Sequence, residues 1–292
     1  MSLFAGLDEI CRRDVTLAEH TWFGVGGPAR WLLEPTEDRQ LHTILRRCED
    51  AKTGLKVLGG GSNVLVRDAG FDGAVVRLSG PQFEDIRFEG TEVWAGAAAP
   101  MSRLVRQSVR LGLGGLEAIA GIPGTVGGGL RMNAGGRFGH ISTAVRSVRV
   151  MDQDGQIHER LREDVNFGYR SSDLTNRFLL GAQFELVETD PQELLQRFRE
   201  IWLYKENTQP ASRGTAGCVF KNPPGSKAGE LIDQAGLKGH RIGGAEVSDR
   251  HANFIVCRPG AKASDVEQLI DEIRDRVYGR FGIELELEIE VW

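Results

Sequence analysis

Cysteine is scarce in this chain, and its placement excludes several classes at once. Four occur in 292 residues, Cys11, Cys48, Cys218 and Cys257, with no CxxC pair and no Cys/His cluster. A disulfide framework and a structural zinc site are therefore not expected, no metal is assigned, and reduced thiols are the default. Long hydrophobic runs are also missing. None approaches the ~20 residues of a membrane-spanning helix, so no membrane association is expected. Excess positive charge is absent too. The net charge is −5, which argues against nucleic acid as the main partner. Residues Met1 to Val15 carry Asp8, Glu9 and Arg12 and lack the apolar core of a signal peptide, so a cytoplasmic chain is expected. There is no GxxxxGK[ST] sequence, no glycine fingerprint opening a clear βαβ unit, no internal repeat and no low-complexity tract.

Glycine is abundant, and it is concentrated. The stretch Gly121-Ile122-Pro123-Gly124-Thr125-Val126-Gly127-Gly128-Gly129-Leu130-Arg131-Met132-Asn133-Ala134-Gly135-Gly136 is close to half glycine, interleaved with apolar residues. A second run, Leu58-Gly59-Gly60-Gly61-Ser62-Asn63-Val64-Leu65-Val66, lies upstream. Amides without side chains can surround an anion, so each run reads as a phosphate or diphosphate cradle or as a place where backbones pack closely. Residue chemistry alone stops at a ligand containing a diphosphate, a nucleotide cofactor by class.

With 40% hydrophobic and 26% charged residues, the length suits two domains. After Thr36, read as an N-cap, Leu41, Ile44, Leu45 and Cys48 recur at helical spacing. Strands are predicted at Lys56 to Leu58, Val64 to Val66, Ala74 to Leu78, Phe83 to Phe88, Glu92 to Gly96, Val145 to Met151, Gln156 to Glu159 and Phe178 to Val187. Pro100 opens a helix whose buried face is Leu104, Val105, Val109 and Leu111. Beyond Asp190-Pro191, residues Leu194, Leu195, Phe198, Ile201 and Trp202 mark another helix. Ala228 to Ala235 is a short helix and Asn253 to Cys257 a strand. Ser264-Asp265-Val266-Glu267 reads as a capping box opening a helix through Val277. Ile283 to Val291 alternates strictly, as a strand with Glu284, Glu286, Glu288 and Glu290 on one face.

Several segments carry chemistry. In Phe167-Gly168-Tyr169-Arg170-Ser171-Ser172 the arginine either clamps a carboxylate or phosphate or is a surface residue. In Gly214 to Pro223, Cys218 follows a small-residue turn near Lys221 and Asn222; it is a proton donor or nucleophile, or a small buried hydrophobe. Gly236 to Ala245 with Ser248 to Asn253 is a binding surface or a rigid domain contact. Nothing in the spacing selects Glu288 over its three neighbours.

Taken in order, Thr21 to Ala29, Leu58 to Val66, Gly115 to Gly136, Tyr169 to Ser172, Ala216 to Pro223, Ala228 to Gly236, Ser248 to Val256 and Leu285 to Glu288 resemble the UDP-N-acetylenolpyruvoylglucosamine reductase (MurB) family of peptidoglycan synthesis. The resemblance implies an α+β fold. An FAD-binding domain of the p-cresol methylhydroxylase/vanillyl-alcohol oxidase type, in two lobes, would occupy 1–200, and a smaller C-terminal α+β substrate domain would occupy 201–292. The short Tyr169 to Asn207 interval matches the shorter, type II members. The implied cofactors are noncovalent FAD and NADPH as co-substrate, since neither loop has the histidine or cysteine of covalent relatives. The implied partner is a small-molecule nucleotide sugar, and the expected state is a monomer. FAD would lie against Gly59, Gly60, Gly61, Ser62, Asn63, Gly121, Ile122, Pro123, Gly124, Thr125, Gly127, Gly128, Asn133, Ala134 and Gly135.

By position, the resemblance makes Arg170 and Glu288 the residues flanking the substrate carboxylate, Cys218 the proton donor, and Tyr169, Lys221 and Asn222 substrate contacts. Hydride would pass from NADPH through the flavin to the vinyl carbon C3 of the enolpyruvyl group, and the enolate left at C2 would be protonated. Two positions depart from the family: Cys218 stands where many members have serine, and Glu290 where many have arginine. An oxidase of the same FAD-binding superfamily acting on an alcohol or sugar, and a flavin-binding regulatory protein without activity, are the alternatives.

Overall fold

A computed structural model describes residues 3–175, 178–210 and 214–292. The chain divides into two compact units: Met1–Arg13, Trp31–Gly60 and Gly73–Lys205 form the first, and Asp14–Arg30, Gly61–Asp72 and Glu206–Trp292 the second. Among the described residues, no helix is long and apolar enough to cross a membrane.

The first unit has two cores. One is built on an antiparallel five-stranded sheet, in the order Ile157–Leu161, Val145–Met151, Phe178–Glu185, Glu92–Gly96, Ile86–Glu89. Its inward residues Val93, Ala95, Val148, Val150, Ala182 and Phe184 alternate with Trp94, Arg149 and Gln183, the period of two of a pleated strand. The helix Met101–Arg110 closes this core with Leu104, Val105 and Val109. Pro100 is its cap residue, and Leu111, expected inside, is 58% exposed because the helix has already ended. The predicted strand from Phe83 to Phe88 is instead a helical turn, Pro81–Glu84, and a short strand, Ile86–Glu89. Pro81 in the first turn favours that start.

The helix Pro191–Thr208 packs on the same core through Leu194, Ile201 and, partly, Phe198. Asp190 starts it, accepting hydrogen bonds from the amides of Gln192 (3.0 Å) and Glu193 (2.9 Å). Leu195 and Trp202, which also belong to the apolar pattern marking this helix, are 37% and 44% exposed. The contacting stripe is narrower than the apolar pattern and continues one turn beyond Ile201 to Lys205.

The second core of this unit packs the helix Asp38–Asp50 against Trp31, Leu33, Ala74 and Val76. Leu41, Ile44 and Leu45 are buried, each contributing about 1.5–3 kcal/mol. Thr36 is not the N-cap. Glu37 holds that position, and the Thr36 amide donates to Gln40 Oε1 (2.7 Å).

In the second unit, the helix Ala263–Phe281 buries Val266, Leu269, Ile270, Ile273 and Val277 against a three-stranded antiparallel sheet, Arg241–Ile242, Ala245–Val247, Ile255–Cys257, and the helix Ala228–Gln234. The expected capping box is displaced by two residues. Lys262 is the cap residue, and its amide donates to Asp265 (3.0 Å). The first-turn amides of Ala263 (2.8 Å) and Ser264 (3.0 Å) donate to the carboxylate of Asp68, far away in sequence. The stretch from Ile283 keeps its alternating burial but is not one long strand. Leu287 bridges Phe220, and only Glu290–Val291 pairs, in parallel with Val64–Leu65.

Asp68 carries a pH signature. Burial pushes its carboxyl pKa up, but hydrogen bonds from Ser264 and Ala263 and the Lys262 charge outweigh this and hold it below the ordinary value. The stabilisation is therefore present above the unfolded carboxylate range and is lost as pH falls through the folded value. Asp68→Ala is expected to cost about 1 kcal/mol near neutral pH in a urea titration. The gap to the parent should narrow as the pH is taken down through the acid range; a gap that stays constant would mean that the cap does not act through the carboxylate.

Candidate active site

The two glycine runs meet backbone to backbone in the first unit. The Leu58 amide donates to Val76 O (2.8 Å), so the first run leaves the strand Leu55–Val57 in a fixed direction. A Cβ on Gly60 would lie 2.8 Å from Gly124 Cα, and one on Gly59 would lie 2.8 Å from Thr125 Oγ1. No other residue fits at Gly60 without moving main chain. The second run is pinned independently: Met101 N–H donates to Gly124 O (3.0 Å), Ile122 N–H to Ile119 O (3.1 Å), and Val126 N–H to Ala99 O (2.9 Å). Pro123 lies between these anchors. Thr125 then caps the short helix Val126–Arg131, its hydroxyl accepting from Gly128 N (3.4 Å).

Gly127 has a different task. Its amide is spent on Ala97 O (2.8 Å), and a Cβ there would stand 3.0 Å from Ala97 Cβ, so it serves helix–sheet contact. Ala134 and Gly135 carry the chain on from this helix, with the Ala134 amide on Gly129 O (2.7 Å). Asn133 sits in the left-handed region (φ 43°). Its side-chain nitrogen donates to Gly168 O (2.9 Å), while its buried Oδ1 has no hydrogen-bond partner among the described residues. A buried amide oxygen without a donor calls for a ligand or water to supply one.

Asn133 and its neighbour Arg131 also hold the hairpin that carries Arg170. Phe167–Gly168 pairs with Ser171–Ser172, and Ser172 Oγ donates to Arg131 O (2.9 Å). Tyr169, exposed, and Arg170, half-buried, form the turn, with the guanidinium carbon 5.1 Å from the Tyr169 ring centre. Arg170 adopts φ 52°, unusual outside glycine and consistent with backbone strain kept for function. The Arg170 charge reaches Lys205. Burial first and then this charge push the Lys205 pKa down to about 8. The Lys205 ammonium donates to Ala120 O (2.6 Å), beside Gly121. Sequence reading missed Lys205; the available signal was a lysine on the contact stripe Leu194, Phe198, Ile201.

In the second unit, Cys218 and Glu288 come together through main-chain pairing. Glu288 N–H donates to Val219 O (2.8 Å), and Lys221 N–H to Glu286 O (2.8 Å). Asn253 fixes the other side, accepting from Phe220 N (2.9 Å) and donating to Phe220 O (2.7 Å). Asn63 ties the first glycine run to this strip: its side chain donates to Glu288 O (3.1 Å), and its carbonyl accepts from Glu290 N (2.9 Å). Ser62 lies just before it and is half-buried. Gly61, with φ 66°, turns the run, and its carbonyl accepts from Trp22 N (2.9 Å). The structure separates the four glutamates that the sequence could not: Glu288 is half-buried, whereas Glu284, Glu286 and Glu290 are exposed. Cys218, half-buried, follows Gly217 in the left-handed region (φ 79°). By contrast, burial pushes the Cys48 thiol up to about 11 and, with Asp265, the Cys257 thiol up to about 12, which makes both poor proton donors.

Two predicted substrate contacts already have partners in the fold. Lys221 Nζ pairs with Glu286 (2.8 Å), and Asn222 Oδ1 accepts from Ala228 N (3.0 Å) at the start of the helix Ala228–Gln234. The segment Gly236 to Asn253 is a small hairpin whose buried Glu246 is held by Arg241 (3.0 Å) and Arg258 (2.5 Å). Among the described residues, no group of three or more His, Cys, Asp and Glu side chains could hold a metal ion.

Residues 29–160 match a family model described as an FAD binding domain, and 209–292 one described as the C-terminal domain of UDP-N-acetylenolpyruvoylglucosamine reductase. UDP-N-acetylenolpyruvoylglucosamine reductase 2 of Symbiobacterium thermophilum is 41% identical over 283 residues, 96% of this chain and 92% of that protein. The crystal structure of the reductase (MurB) from Thermus caldophilus superposes with a TM-score of 0.85 at 40% identity, covering 97% of this chain and 99% of the other. Cholesterol oxidase from B. sterolicum, at 14% identity and a TM-score of 0.51, covers 64% of this chain and 39% of its own; that likeness shows fold alone.

An FAD fits the residues present. The Gly59–Gly60 approach to Gly124–Thr125 leaves bare backbone where a side chain would intrude, and Asn133 Oδ1 awaits a donor. Gly60→Ala is expected to push the two runs apart, costing about 1–3 kcal/mol and most of the bound flavin. Urea unfolding and flavin absorbance per chain measure the two effects. Full flavin content at parental stability would mean that the runs tolerate separation.

Proposed function

The chain belongs to the UDP-N-acetylenolpyruvoylglucosamine reductase family, and from that premise we propose which of its residues carry the reaction. Its fold is α+β, an FAD-binding domain of the p-cresol methylhydroxylase/vanillyl-alcohol oxidase type with a C-terminal α+β domain. It is an oxidoreductase that uses FAD and NADPH to reduce UDP-N-acetylglucosamine enolpyruvate to UDP-N-acetylmuramate, a peptidoglycan precursor. The domain assignment proposed is 1–200 for FAD and 201–292 for substrate, and the matched ranges, 29–160 and 209–292, fall within it. The likeness to oxidases stays at the level of fold, and the match over 209–292 favours the reductase.

The chemistry that bound FAD supplies is a two-electron relay, hydride taken from NADPH and passed to the vinyl carbon C3. The glycines Gly59, Gly60, Gly121 and Gly124 would hold its diphosphate, Gly61, Ser62, Asn63, Ile122, Pro123, Thr125, Gly128, Ala134 and Gly135 would line it, and Asn133 Oδ1 would be free to accept a hydrogen bond. Gly127 supports the loop by packing. Hydride arrival at C3 leaves negative charge shared by C2 and the carboxylate. The Arg170 guanidinium, always protonated, stabilises that charge. Glu288 can do so only if it is protonated or hydrogen-bonded. Cys218 gives its Sγ proton to C2, and solvent returns one to the thiolate. Tyr169, Lys221 and Asn222 orient the substrate. The observation that carries this reading is the main-chain pairing that sets Glu288 beside Val219, next to Cys218. We also infer noncovalent FAD, a monomer, a cytoplasmic location, and thereby a part in cell wall biogenesis, cell shape and cell division.

A thiol is more acidic than an alcohol, so either can donate to a carbanion-like carbon. Cys218→Ser is expected to keep substantial turnover, while Cys218→Ala loses most of the second half-reaction. Anaerobic absorbance resolves the two halves, with NADPH bleaching the flavin and the enol ether restoring its colour. In Cys218→Ala the bleaching should be normal and the recovery slow. Recovery at the parental rate would remove Cys218 from the mechanism.

A further inference from the structure

Two hairpins of the first unit each display an arginine and an aromatic ring in a two-residue turn. One is the Tyr169–Arg170 turn described above. The other pairs Gly135–Gly136 with Gly139–His140 and displays Arg137 and Phe138. None of the reacting groups proposed above lies on this second tip. Its guanidinium carbon lies 5.0 Å from the Phe138 ring centre and 4.8 Å from that of Tyr204, and the two rings meet edge to face at 5.6 Å. Phe138 is 37% exposed and Tyr204 40%, so much of both rings is left to solvent. The cluster is anchored on both sides. Asn133–Gly135 leads into the hairpin, and Tyr204 precedes Lys205, whose side chain lies against Gly121.

We propose that Arg137, held by Phe138 and Tyr204, binds a phosphate of a nucleotide that uses the same aromatic surface for its base. Three physical points lead there. A guanidinium with its faces against rings still presents its N–H edges, and those edges match phosphate oxygens bidentately. Aromatic rings left half in water offer stacking surface for a nucleobase. The neighbouring charges are also positive, since Lys205 follows Tyr204 and feels the charge of Arg170. The ligand class is a nucleoside phosphate, and the reaction offers two sources, the UDP half of the substrate and the pyridine nucleotide. The inference rests on the reductase reading and names a residue outside its reacting groups.

The test uses the FAD-loaded enzyme and titrates UDP and NADP+ separately, following binding by calorimetry. Arg137→Ala is expected to raise Kd about tenfold or more for at least one of the two, with flavin content and thermal midpoint unchanged. Arg137→Lys should recover only part, because an ammonium presents no planar fork, and Tyr204→Phe should bind as the parent does. Weakening confined to UDP assigns the locus to the sugar nucleotide, and weakening confined to NADP+ assigns it to the reductant. Unchanged affinity for both overturns the proposal, as does loss of flavin in Arg137→Ala, which would mean that the residue serves the cofactor. A parent enzyme that binds neither ligand overturns the reductase reading along with it.

Discussion

The constraint on which the first unit's site depends is the contact of two bare backbones, Gly60 against Gly124. Side chains were given up on both runs, so the geometry is held by what surrounds them. The first run is aimed by the strand Leu55–Val57, and the second is tied by amide hydrogen bonds to residues 97–101. The helix Val126–Arg131 then leads to Asn133, which anchors the Arg170 hairpin. The proposed diphosphate cradle and the proposed enolate-stabilising arginine are thus consecutive parts of one hydrogen-bonded assembly. Displacing the glycines would move both.

The second unit solves its own problem by a different route. Its proposed reactive strip is aligned by main-chain hydrogen bonds between residues 219–221 and 286–289. Two asparagines, Asn63 and Asn253, lock its ends with bonds to backbone atoms. Such bonds specify position and are indifferent to the neighbouring side chain. A cysteine can therefore occupy position 218 without disturbing the frame.

Much of this was legible in the sequence because periodicity and turn chemistry speak directly. The helices beginning at Asp38, Met101 and Pro191, and the strands Glu92–Gly96 and Val145–Met151, follow from spacing alone. What failed were features set by distant residues. The cap of the last helix comes from Asp68, so a local Ser-x-x-Glu pattern pointed to the wrong start. The alternation from Ile283 records burial; among the described residues its strand pairing is limited to Glu290–Val291, with a single bridge at Leu287. Nothing local distinguishes Glu288 from its neighbours; the return of the chain beside Val219 does. Lys205 was hidden because a lysine on an apolar stripe reads as a break in the stripe.

Unit two is assembled from pieces far apart in the chain: 14–30, 61–72 and 206–292. Val64–Leu65 pairs with Glu290–Val291, and the Arg67 amide donates to Trp292 O (3.0 Å). During synthesis on the ribosome, the early pieces emerge long before these partners exist. They must wait, unpaired, while the intervening residues, whose contacts are more local, are made and can already collapse. Unit one can therefore mature on the ribosome, whereas unit two closes only once residues 206–292 have been made and have emerged. The interval between the two events is when this chain has most to gain from a chaperone.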